Sequence, residues 1–79
     1  MKSIAEMISS IALLLGKPKN EKIGMLRQLR RAKKQAQKFY FKMRRKLSRK
    51  GLTEDEKKQL DLLFDTITDL SDEIKNINN

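Results

Sequence analysis

Residues 47–60, LSRKGLTEDEKKQL, decide the fold. Gly51 stands where a helix can close in the left-handed conformation, and Leu52 follows where the hydrophobic contact of a Schellman motif sits. Thr53 and Glu56 then form a capping box, a hydroxyl at the helix start and a carboxylate three residues on. Glu54 and Asp55 fall in the first turn, where a helix favours negative charge. One helix ends and the next begins within residues 51–53. So short a connection makes the two helices run antiparallel.

Upstream, Met25, Leu29, Ala32, Ala36, Phe39, Met43 and Leu47 recur at spacings of 4, 3, 4, 3, 4 and 4, nearly a heptad seam. This predicts a helix over residues 21–50, about 45 Å long. Asn20 is placed to cap it, with Glu21 at its positive end. Gly24 costs some stability there without breaking the helix. Downstream, Leu60, Leu63, Ile67, Leu70, Ile74 and Ile77 predict a helix over residues 54–77. Folding the chain at the turn pairs residues whose numbers sum to about 103. Met43 then faces Leu60, Phe39 or Tyr40 faces Leu63, Ala36 faces Ile67, and Leu29 faces Ile74. The small Ala32 and Ala36 let the helices approach closely. The Asn76–Asn79 end is expected to fray.

Residues 1–16 read as a short amphipathic helix. Ile4, Met7, Ile8, Ile11, Leu14 and Leu15 share one side, and Lys2, Glu6, Ser9 and Ser10 lie opposite. Gly16 is placed to close it in the left-handed conformation, and Pro18 stops continuation. The fold class is therefore all-α: an antiparallel, coiled-coil-like helical hairpin over residues 17–79, with an N-terminal helix over 1–16. Its apolar residues Ile4, Ile8, Ile11 and Leu15 form either a third core helix or a seam to another protein, in preference to a membrane-surface helix, for which it lacks aromatics and has only Lys2 as a cation on its polar face. Leu13 and Leu62 fall off the core faces and favour an additional protein contact.

Charge divides the chain sharply. The 79 residues carry 19 Lys and Arg against 10 Asp and Glu, net +9. Residues 17–50 hold fifteen of the basic groups and one acid, whereas residues 51–79 hold three basic groups and eight acids. The basic helix thus folds against an acidic one. Advancing about 100° per residue, the outer side of the basic helix carries Arg27, Arg31, Lys34, Lys38, Phe41, Arg45 and Arg49. Asp61, Asp65, Asp69 and Asp72 point outward from the acidic helix. The thickness of two helices separates the stripes, beyond roughly one Debye length, so the basic charge is not consumed internally.

This stripe, ~33 Å long, fits a phosphate backbone and would read backbone, not base sequence. Phe41 lies within it, where an unpaired base could stack. The favoured reading of Phe41 is burial, under the first helix or under a partner's helix, because an exposed Phe is unusual without a partner.

Composition narrows the chemistry. The chain has no Cys and no His. It therefore has no disulfide, no thiol nucleophile, no soft metal site and no group titrating near neutrality at its ordinary pKa. A single small domain has little means to build a catalytic pocket, so no enzyme, cofactor or metal is expected. The apolar stretch 4–15 is too short for a bilayer needing about 20 residues. With only Lys2 before it and no small-residue cleavage site after it, it does not read as a signal peptide, and a cytoplasmic location is expected. The leading function is non-specific electrostatic binding of nucleic acid. The alternative is a structural or assembly subunit of a larger protein or virion-like complex, acting through helix packing and complementary charged faces, with an acidic protein surface as partner in a homo- or hetero-oligomer.

Overall fold

A computed structural model describes residues 3–78. It contains four helices: α1 (Ile4–Leu15), α2 (Lys19–Gly24), α3 (Leu26–Arg49) and α4 (Glu54–Asn78). The described residues contain no strand. The long helices α3 and α4 pack antiparallel, and α1 lies against both.

The turn forms much as its residues dictate. Gly51 has φ 78°, the left-handed conformation, and its N–H donates to the Leu47 carbonyl at 3.2 Å. That single bond makes the closure the simpler left-handed cap rather than a Schellman motif. Leu52 still packs against the core. The capping box is complete. The Glu56 N–H donates to Thr53 Oγ1 at 3.2 Å, and the Thr53 N–H donates to Glu56 Oε1 at 3.1 Å.

The register also follows the sequence. Leu29, Ala36, Met43, Leu60, Leu63 and Leu70 are buried, and Ile67, Ile74 and Ile77 pack against them. Distances at the seam's edges measure the pairing. Lys46 Nζ meets Glu56 Oε2 at 2.6 Å, and the Tyr40 and Phe64 rings lie 6.0 Å apart. No polar or charged residue is buried among those described.

The third layer is α1. Met7 and Ile11 are buried, and Ile4, Ile8, Leu14 and Leu15 pack beside them. Ser3 starts the helix by accepting the Glu6 N–H on Oγ at 3.2 Å. Lys2, expected on the polar side of this helix, lies outside the described residues, as does Asn79. With 12 residues against 24 and 25, α1 covers about half of the hairpin. It covers the half remote from the turn, since Lys22 of α2 bonds to both Leu15 and Glu73.

Three local expectations are corrected. The basic helix is not continuous from residue 21: α2 ends at Gly24, and α3 starts after Met25, whose φ is −108° and ψ 15°. Asn20 lies inside α2, and Pro18 takes the cap position. The break follows a weak helix former, Gly24, and a tertiary contact holds α2 beside it. Lys22 Nζ donates to the Leu15 carbonyl at 3.2 Å and pairs with Glu73 at 2.8 Å. It thereby supplies the cation that the last turn of α1 lacks. Gly16, finally, is right-handed at φ −78°, so Pro18 and not the glycine ends α1.

Candidate functional site

Arg27, Arg31, Lys34, Lys38, Arg45 and Arg49 are all exposed on α3. The helix carries eleven Lys and Arg and no acid. Among the described residues Lys46 is the one of these eleven in an ion pair, with Glu56. The remaining ten have no carboxylate partner there.

The helical surface gathers these cations into two shallow hollows. Arg27, Arg30, Arg31, Lys33, Lys34 and Gln37 line the first. Lys42, Arg45, Lys46, Arg49 and Lys50 line the second, nearer the turn. Lys38 falls between them in sequence. The predicted stripe thus lies within a wider basic surface, to which Arg30, Lys33, Lys42 and Lys50 also belong. Arg30 and Lys42 stand to either side of the outermost line, Lys33 lies nearer the core and Lys50 follows the last residue of α3, so a rule that keeps only the outward direction passes them over. Their amines and guanidinia can bind anions by charge and by hydrogen bonds, the guanidinia in bidentate fashion. Among the described residues no cluster of acids could hold a metal ion, and no helix is long and apolar enough to cross a membrane.

Lys46 and Glu56 mark the boundary between the basic and acidic sides. Hydrogen bonds from Lys46 and from the Thr53 N–H hold the Glu56 carboxyl below its ordinary pKa. The pair ties α3 to α4 beside the turn, so the cation nearest the acidic helix is the one not free for an external anion.

Phe41 is 58% exposed, so it is not covered by α1. The reason is geometric. α1 lies along the flank of α3 that presents Gln28, Arg31, Ala32 and Gln35. By the helical period Tyr40 and Phe41 stand on the other flank. There the Phe41 ring meets Tyr40 edge-on at 5.7 Å, and Tyr40 meets Phe64 of α4. Phe64 is itself 56% exposed. Sequence reasoning missed this cluster because Phe64 sits just off the seam, where a helical wheel alone does not separate a core neighbour from a surface ring. Ile11 is buried and Ile4, Ile8 and Leu15 pack on the protein's own hairpin, whereas Leu13 and Leu62 remain exposed. No protein-family model matches the chain, and no curated protein or solved structure matches it either.

Proposed function

We propose that the chain binds nucleic acid without base-sequence preference, through phosphates lying along the outer side of α3. The observation that carries this reading is the ten cations on that helix with no carboxylate partner among the described residues. Unpaired surface cations retain their attraction for an external polyanion, and displacement of the condensed counterions from that polymer drives binding. Arg27, Arg31, Lys34, Lys38, Arg45 and Arg49 are the contacting groups. They lie on a rigid helix and reach outward, so they position the chain on a backbone rather than reading base edges.

The test is a salt titration of fluorescently labelled DNA and RNA. Replacing Arg31, Lys34, Lys38 and Arg45 with Gln keeps good helix formers on an exposed face, so helicity is retained. Affinity should fall by a similar factor for every sequence. On duplex DNA the slope of log affinity against log salt should flatten by about 0.9 for each phosphate no longer neutralised. An unchanged slope would refute the reading. The alternative, an assembly subunit meeting an acidic protein surface, is favoured by the exposed aromatic rings; there the same substitutions would dissolve a protein complex while nucleic-acid affinity is weak from the start.

A further inference from the structure

Tyr40, Phe41 and Phe64 make an aromatic patch on the flank of the hairpin that α1 leaves bare. We propose that this flank is the interface of a symmetric dimer, two copies closing into a four-helix core about a two-fold axis parallel to α3 and α4. The inference is independent of the nucleic-acid reading, because it takes Phe41 from the outer side of α3 and leaves the cations Arg27, Arg31, Lys34, Lys38, Arg45 and Arg49 free.

The first argument is composition. Phe41 and Phe64 are more than half exposed, and polar and charged residues surround them. An aromatic centre with a polar rim is the anatomy of a protein–protein interface. The second argument is charge. By the helical period the α3 edge of this flank carries Arg30, Lys33 and Arg44, all basic, and the α4 edge carries Lys57, Asp61, Asp72 and Lys75, balanced in charge. A two-fold axis parallel to the helices lays α3 of one copy on α4 of the other and preserves height along the bundle. Tyr40 lies level with Phe64, so Phe41 meets the partner's Phe64. Arg44 then falls over the partner's Asp61, and Lys33 over the partner's Asp72. Symmetry makes each pairing occur twice. A two-fold axis running across the helices would instead lay basic α3 on basic α3, and like charges oppose it. The third argument is area. The molecule measures 43 × 20 × 19 Å. Its two-helix flank is therefore at most on the order of 800 Å² in projection, so covering the whole of it supplies what each partner contributes to a standard interface.

Sedimentation velocity of the full chain from low to high micromolar protein tests this. The mass should double with concentration. Phe41→Ala and Phe64→Ala should each raise the dimer dissociation constant roughly tenfold or more, the effect of removing a central aromatic anchor. Both rings are largely exposed and Ala is the best helix former, so circular dichroism should show the fold retained. Arg44→Glu and Asp61→Arg should each weaken self-association, and mixing the two variants should restore a dimer, because each new charge then meets its opposite. A chain that stays monomeric at every concentration overturns the proposal. So does a dimer indifferent to the aromatic substitutions, or one not rescued by mixing. A natural chain that stays monomeric, and whose Phe41→Ala variant loses affinity for labelled oligothymidylate but not for duplex DNA, would make the patch a base-stacking platform instead.

Discussion

Replacing glycine by alanine at two positions should move stability in opposite directions. At Gly51 the backbone has φ 78°, so a Cβ is strained although nothing stands within 4 Å of it. The left-handed conformation costs an L-residue roughly 1–2 kcal/mol. At Gly24 the backbone is right-handed helix, and a Cβ again meets nothing within 4 Å. There alanine should gain up to about 1 kcal/mol from its helix propensity. The two variants should differ by roughly 2 kcal/mol. In a domain this small 1 kcal/mol shifts the melting temperature by about 4–8 °C. Thermal denaturation followed by circular dichroism should therefore place Gly51→Ala below the natural chain and Gly24→Ala at or above it. Protein concentration must be equal in all samples, because a dimer makes melting concentration-dependent. If Gly51→Ala melted at the natural temperature, the left-handed cap between α3 and α4 would be wrong. The antiparallel register derived from that turn would lose its anchor with it.

The turn was legible because each of its signals acts within a few residues. Gly51, Thr53 and Glu56 settle their own conformations by sterics and local hydrogen bonds, and the periodic leucines then align the seam. The break at Met25 was not legible, since the contacts that hold α2 in place are distant. Lys22 reaches from α2 to Leu15 at the end of α1 and to Glu73 on α4, and no local pattern announces that triple meeting. Gly16 misled for a related reason: Pro18 suffices to stop α1, so the glycine never needs the left-handed conformation.

The same division holds at the surface. Outward cations on α3 follow directly from the helical period, and the absence of acids on that helix leaves them unpaired. Which flank α1 covers depends on handedness in three dimensions, and a wheel drawn for one helix does not contain it. Burial of Phe41 under the first helix fails for that reason, since α1 docks on the other side. The rings of Tyr40 and Phe64 come together across two helices far apart in sequence, and their partnership became visible with the register.

Three further substitutions probe the fold. Leu63 is fully buried, and Leu63→Ala should cost about 2–5 kcal/mol, enough to leave much of so small a domain unfolded in a urea titration at room temperature. Leu13→Ala, at a side chain 74% exposed, should leave the urea midpoint nearly unmoved, and equal losses would mean the core is misplaced. Glu56→Gln tests the electrostatics of the turn. The carboxylate is held below its ordinary pKa, chiefly by Lys46, so the folded chain releases this proton more readily than the unfolded one. Its contribution is thus present above the unfolded pKa, about 4.3 for glutamate, and is lost as pH falls through the lower folded value. Gln retains the amide oxygen that completes the capping box but loses the charge that holds Lys46. The natural chain should therefore be the more stable at neutral pH, and the two melting temperatures should converge as the solution is acidified below the ordinary glutamate range. A gap that stayed constant down to that pH would mean Glu56 acts through shape alone, and the Lys46 ion pair contributes nothing to holding α3 against α4.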